Sequence, residues 1–202
     1  EDTFAPPSQR LEILKDTIDT FTSNGYKMVG MDHFAKPEDE LFLAIQKGEL
    51  HRNFQGYTTK GGADLIGIGV TSIGDGVDYY AQNYKDLENY ENALDEGKLP
   101  TFKGYKLSLD DQIRQFVIME LMSNFALRIQ GVEEKFDINF KEYFKEDLPL
   151  LKEFEDADLV EVTDDKIQVS PTGTMLIRNI VMPFDAYLKK VPEEKRRFSK
   201  TV

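Results

Sequence analysis

Three times in its first hundred residues the chain runs an apolar stripe at helical spacing into a glycine. Leu11, Leu14, Ile18 and Phe21 share one face and end at Asn24-Gly25, with Ser8 available as a cap. Leu41, Phe42 and Ile45 follow the proline and acidic first turn of Pro37-Glu38-Asp39-Glu40 and stop at Gly48. Leu87, Tyr90 and Leu94, within the span from Lys85 to Glu96, stop at Gly97. Between these helices lie two short apolar runs, Tyr26–Met31 and Leu65–Val70, which predict buried strands. The second contains Gly67 and Gly69, and glycine inside a strand marks a close approach of backbone or ligand. The alternation predicts the end of an α/β layer structure.

The pattern changes after Pro100, which we take as a boundary between residues 1–100 and 101–202. Ser108-Leu109-Asp110-Asp111 resembles a capping box and opens the longest predicted helix, through Ile113, Phe116, Val117, Leu121 and Phe125. Phe140–Phe154 predicts a second amphipathic helix. Leu159–Val162 and Lys166–Val169, joined by Thr163-Asp164-Asp165, predict a hairpin. A closing helix starts at Ser170-Pro171-Thr172-Gly173 and should kink or end at Pro183. Helices followed by a small hairpin and one more helix suggest a mainly helical, winged-helix-like unit. No internal repeat or low-complexity segment interrupts it.

Composition removes several chemistries. With no Cys there is no disulfide, no thiolate nucleophile and no cysteine-ligated zinc or iron–sulfur cluster held by this chain alone, and two histidines exclude a three-histidine metal site. The net charge of −12, from 25 Lys+Arg against 37 Asp+Glu, disfavours general nucleic-acid binding. No apolar stretch approaches the roughly 20 residues of a membrane span, and Glu1–Pro7 is unlike a signal peptide, so the expectation is an intracellular, cytoplasmic chain. The absence of an initiator Met suggests that the sequence begins inside a longer one.

His51-Arg52-Asn53-Phe54-Gln55-Gly56-Tyr57-Thr58-Thr59 packs an imidazole, a guanidinium, amides, aromatics and hydroxyls into nine residues. Read plainly, it is a polar loop whose side chains satisfy backbone groups. Read as a ligand loop, it offers Phe54 for stacking, Gln55 for an amide or carboxylate, and Arg52 for bidentate grip of a carboxylate. Gly69–Gly74 is either a tight turn or a place where a ligand nears main-chain atoms. His33, in Asp32-His33-Phe34 after the first predicted strand, is a candidate pocket residue or one half of a structural Asp–His pair. No nucleophile completes a triad with it. The acidic runs read as solvated faces and helix starts, and Lys195-Arg196-Arg197 as a solvated end.

Gly30-Met31-Asp32-His33-Phe34-Ala35, then Pro37, Asp39 and Glu40, then the whole Leu50–Thr59 run resemble the C-terminal half of oxygen-independent coproporphyrinogen III oxidases. The likeness continues through Asp64-Leu65, Gly69-Val70, Tyr80-Ala81-Gln82-Asn83, Tyr143-Phe144 with Asp147-Leu148, and Ile177-Arg178-Asn179-Ile180. The resemblance implies a radical S-adenosylmethionine enzyme of haem synthesis that decarboxylates two propionates of coproporphyrinogen III to vinyl groups, giving protoporphyrinogen IX. It implies a [4Fe–4S] cluster and two S-adenosylmethionine molecules, with Phe54, Gln55 and Ile73 carried over as contacts of the second. Arg52 as a substrate-carboxylate partner and His33 as a pocket residue are inferences from their chemistry. An electron donor and acceptor are implied but not identified.

The family binds its cluster through a Cys-x-x-x-Cys-x-x-Cys run in an N-terminal half that is absent from this sequence, so the chain alone should be inactive. The fold implied is α/β: the last elements of a radical S-adenosylmethionine partial (β/α) barrel, then the helical C-terminal unit. A cut barrel exposes strand edges and an apolar face, so the expectation is self-association. The rivals are the related haem chaperones, whose signature includes a Trp this chain lacks, and a non-enzymatic winged-helix-like binding module. Against DNA binding by the latter, Lys141, Lys145 and Lys152 alternate with acidic residues.

Overall fold

A computed structural model describes residues 5–190. Glu1–Phe4 and the basic run Lys195–Arg197 lie outside the described residues. Helix α1, Pro7–Ser23, starts two residues earlier than expected: Pro6 is its cap and Ser8 lies in its first turn, because a proline at the first helical position needs no N–H partner. Phe21 stacks on Phe34 at 4.7 Å and meets Tyr26 edge-on, which fastens the helix to the segment after Gly25.

That segment is not a long buried strand. Only Lys27–Val29 (β1) is extended, and it pairs antiparallel with His33–Ala35 (β2), so that His33 lies on a hairpin strand and not beyond a strand end. Helix α2, Glu40–Lys47, ends at left-handed Gly48 as expected but starts later than the Pro37–Glu40 first turn: Asp39 is its cap, the carboxylate accepting from Leu41 N–H at 2.9 Å, and Pro37 and Glu38 lie before it. Its Ala44 joins Val29, Ala35 and Leu50 in a small core. His51–Asn53 (β3) and Gly56–Thr58 (β4) form a second hairpin.

The apolar run Leu65–Val70 departs furthest from expectation. Among the described residues it makes one isolated bridge, Leu65 to Asp75, while Ile66 and Ile68 are 79% and 87% exposed. The glycines explain the shape: a Cβ at Gly67 would lie 2.9 Å from the Ile73 carbonyl carbon, so the segment lies flat on Ile73–Asp75 (β5) and turns its isoleucines outward. Asn83 staples this turn, its amide donating to the Gly67 and Gly69 carbonyls and to Ser72 Oγ. The carbonyls at Gly67 and Gly69 are thus taken internally, as the tight-turn reading requires.

Tyr79–Asn83 (β6) pairs with β5 and, after helix α3 (Leu87–Asp95), with Thr101–Lys106 (β7), giving a sheet of order β5-β6-β7. All strand pairings among the described residues are antiparallel.

Helix α4, Leu109–Asn124, opens with the expected capping box of Ser108 and Asp111 and presents Ile113, Val117 and Leu121 to the larger core. Ala126–Arg128 (β8), helix α5 (Ile129–Phe136) and the four-residue α6 (Phe140–Tyr143) follow. The helix predicted over Phe140–Phe154 is broken: a 3-10 turn over Leu148–Leu151 separates α6 from α7, Lys152–Asp156, because Pro149 removes a donor and disfavours the α conformation at Leu148. The expected hairpin forms as Val160–Val162 (β9) and Lys166–Val169 (β10), and β8 adds to its edge in the order β8-β10-β9. The closing helix is likewise short, α8 over Ile177–Val181 between two 3-10 turns, the second holding Pro183. Helix α9, Ala186–Lys190, is the last of the described elements.

The two cores are joined at Asn124, whose side-chain amide accepts from Leu50 N–H and donates to the Leu50 carbonyl, each at 3.1 Å. This pairing sets the β3–β4 hairpin against α4 and so positions the residues of the candidate site.

Candidate functional site

The β3–β4 register pairs Asn53 with Gly56, which leaves Phe54 and Gln55 as the two residues of the turn. Asn53 Oδ1 accepts from Gln55 N–H at 2.8 Å and Gly56 sits at φ +127°, a conformation that favours glycine. The polar loop is therefore a tight hairpin that holds Phe54 and Gln55 at an exposed tip, Phe54 being 53% exposed.

The Phe54 ring meets that of Tyr80 of β6 perpendicularly, with centroids 5.2 Å apart. Tyr80 pairs with Asp75, and Ile73 with Gln82, so Ile73, Asp75, Tyr80 and Gln82 share a face of the sheet. The structure thus brings Phe54 and Ile73, 19 positions apart in sequence, to one side of β5-β6, with Gln55 beside Phe54. Gln115 of α4 donates to the Tyr80 hydroxyl. Burial, then the Asp75 charge, pushes the Tyr80 phenol up; burial, then Asp64, pushes the Asp75 carboxyl up. A cavity of about 280 Å³ opens between the hairpin and α4, lined by Asn53, Thr58, Asp64, Asp75, Gln115 and Lys135 among others.

Arg52 and Tyr57 are directly opposed on the other face of the hairpin. The Arg52 guanidinium carbon lies 5.7 Å from the Tyr57 ring centroid, and its Nε is buried with no hydrogen-bond partner. The Tyr57 hydroxyl accepts from Met31 N–H at 3.1 Å. Its pKa is raised, burial outweighing that hydrogen bond and the charges of Arg52 and Arg178. His33 stands edge-on to the Tyr57 ring at 5.0 Å, and its Nδ1 is 2.7 Å from Asp32 Oδ1. His33 and Arg52 therefore meet around Tyr57, away from the Phe54 tip.

Sequence reasoning gave no role to Tyr80, Asp75, Tyr57 or Arg178. Each draws its significance from strand register or from a contact across the fold, and local spacing carries no trace of either. Among the described residues no group of three or more His, Asp or Glu is placed to hold a metal ion, and no helix is long and apolar enough to cross a membrane.

The long capped helix α4, the three-stranded antiparallel sheet and the helices packed on it fall within residues 107–176, which match the HemN C-terminal domain family. Over its whole length the chain is related to part of the oxygen-independent coproporphyrinogen III oxidases. It is 51% identical to the enzyme of that name from Helicobacter pylori, covering 100% of this chain and 44% of that one, and 46% identical to the one from Synechocystis with the same coverage of each. Among solved structures it is similar to the coproporphyrinogen III oxidase HemN of Escherichia coli, described as a radical SAM enzyme, with a TM-score of 0.88 and 48% identity over 91% of this chain and 42% of that one. The chain spans less than half the length of these relatives.

Proposed function

We propose that this chain is the part of an oxygen-independent coproporphyrinogen III oxidase that holds a second S-adenosylmethionine and closes over the tetrapyrrole. The observation that carries the reading is the placement of Phe54 and Ile73 on one side of the β5-β6 sheet, with Gln55 next to Phe54 in the hairpin turn, these being the three residues implied by the family resemblance. Phe54, half exposed, offers ring surface for a purine and Gln55 an amide for its polar edge. When bound to a reduced cluster, S-adenosylmethionine supplies the radical chemistry that removes hydrogen from a propionate. Having no Cys, this chain contributes no thiolate ligand to such a cluster, which must be held by other residues.

In this reading residues 1–100 end a partial (β/α) barrel, and residues 101–202 form the winged-helix-like unit. The two separate cores support that division, and β7 reaching back to β6 straps the units together. Coproporphyrinogen III is the substrate, an electron donor and acceptor are required, and the setting is the cytoplasm. A DNA-binding role for the hairpin unit is disfavoured because Lys141, Lys145 and Lys152 are each ion-paired, to Asp164, Glu142 and Asp156.

The test is a chimera in which this chain replaces the matching segment of the Escherichia coli enzyme, assayed anaerobically for conversion of coproporphyrinogen III. Activity within about tenfold of the parent supports the reading. A chimera that folds, retains its cluster absorbance and makes no product overturns it.

A further inference from the structure

Arg52 is an unusual cation for so acidic a chain. Among the described residues it has no ion-pair partner, and its buried Nε donates to nothing. An unsatisfied guanidinium N–H is costly to bury unless a ligand satisfies it. A second guanidinium comes to the same place from the far end of the sequence. Arg178 of α8 directs its Nε at Met31 Sδ, 3.3 Å away, and the N–H of that same Met31 donates to the Tyr57 hydroxyl. Both arginines act electrostatically on that hydroxyl, which places their charges around one point. The nearby acid, Asp32, is engaged by His33 at 2.7 Å.

Two guanidiniums, a phenol and an imidazole brought together by three separate segments form a receptor for a carboxylate, whose two oxygens match the fork of an arginine. We propose that Arg52 and Arg178, meeting at Tyr57, form a clamp for one carboxylate of the ligand, with His33 at its rim. The clamp takes one arginine from the β3–β4 hairpin and one from α8, so a ligand held there ties the smaller core to the larger. Identifying that carboxylate with a propionate of coproporphyrinogen rests on the function proposed above; the clamp itself does not. Arg52 and Arg178 are positioning residues in this account, since they hold a carboxylate and leave the hydrogen-abstracting chemistry to other groups.

Binding to the purified 202-residue chain provides the test, with three probes: coproporphyrin III, its uncharged tetramethyl ester, and tricarballylate, a tricarboxylate with no ring. The expected result is binding of the tetraacid, at least tenfold weaker binding of the ester, and roughly tenfold losses in Arg52→Gln and Arg178→Gln. Two arginines sharing one carboxylate also predict that the double variant loses less than the product of the single losses. Arg52→Lys, which keeps the charge and discards the fork, should lose several-fold with an unchanged circular dichroism spectrum. If tricarballylate binds in an Arg52-dependent way and coproporphyrin III does not, the clamp stands and the tetrapyrrole reading falls. If coproporphyrin III binds equally well to the wild type and both Gln variants, the clamp falls and the tetrapyrrole reading survives. Failure of both acids to bind, or inorganic phosphate displacing them at equal concentration, overturns the carboxylate clamp.

Discussion

The ring of Tyr57 fills the space that a side chain at Gly30 would need: an ideal Cβ there would lie 2.0 Å from the ring, at a φ of +76°. Gly25 has a similar φ of +82° with nothing within 4 Å. Gly25→Ala should therefore lose only the left-handed penalty, about 1 kcal/mol, whereas Gly30→Ala should lose clearly more, because the ring that anchors the Arg52 site must also move. Equal losses in urea unfolding would mean that Tyr57 yields freely. Phe54→Ala should do the reverse, leaving stability within about 0.5 kcal/mol because the ring is largely exposed, while removing most of the chimera's activity. Glu120 gives a pH test. Burial raises its carboxyl pKa against the pull of His51, Asn124 and other neighbours, so the folded state binds its proton more readily than the unfolded one. Its contribution is thus fully present below the unfolded carboxylate pKa and is lost as pH rises through the folded value. Glu120→Gln should remove that fall, measured as a flatter urea midpoint between pH 4 and 7. At this scale the sequence displayed the His51–Thr59 chemistry openly, since its diversity lies within one stretch. The partners Tyr80 and Arg178 stayed hidden because they arrive from β6 and α8.

The start of α4 was legible in its capping box. Ser108 stands where the sequence placed it, and the Ser108–Asp111 box is complete, with Asp111 N–H donating to Ser108 Oγ at 3.2 Å and Ser108 N–H to Asp111 Oδ2 at 2.9 Å; Asp39, read as part of a first turn, is instead the cap of α2. Burial raises the Asp111 carboxyl pKa, but hydrogen bonds from Ser108, Tyr187 and Tyr105 overcome that and hold it below its ordinary value. A depressed folded pKa contributes stability above the unfolded carboxylate range and loses it as pH falls through the folded value. Ser108→Ala should destabilise by about 1 kcal/mol at pH 7, and by less when Asp111 is protonated, read as converging melting curves in acid. Other elements were misread for two physical reasons. Pro149 breaks an amphipathic run whose spacing alone suggested one helix from Phe140 to Phe154. Leu65–Val70 has the composition of a buried strand, yet Gly67 lets it lie against β5 and, among the described residues, no second layer covers the isoleucines. Periodicity records which residues prefer burial, not what is available to bury them.

Across the whole molecule, α9, the last described helix, is tied to the body by a charged contact. Asp147, 1% exposed, receives Lys189 of α9 and the Arg114 guanidinium at 3.4 Å, and Arg114 also donates to the Phe184 carbonyl at 3.0 Å. Asp147→Ala leaves Arg114 its bonds to Asp110 and the Phe184 carbonyl and leaves the partly exposed Lys189 to solvent, and should cost about 1–3 kcal/mol in chemical denaturation. The opposite case is the uncovered apolar surface of Ile66, Ile68 and Val77, the last 77% exposed. Water-exposed isoleucines on an extended segment with a largely unpaired backbone favour association with another chain. We expect the isolated chain to form dimers or larger species in light scattering at micromolar concentration, and Ile66→Ser with Ile68→Ser to shift it toward monomer without lowering its melting temperature, since neither side chain is buried. In the chimera the same double substitution has the opposite effect: a catalytic half packed on this face would lose those contacts, so stability and activity should drop together. A monodisperse wild-type monomer, or a chimera indifferent to the two serines, would remove the argument that this surface is made to be covered.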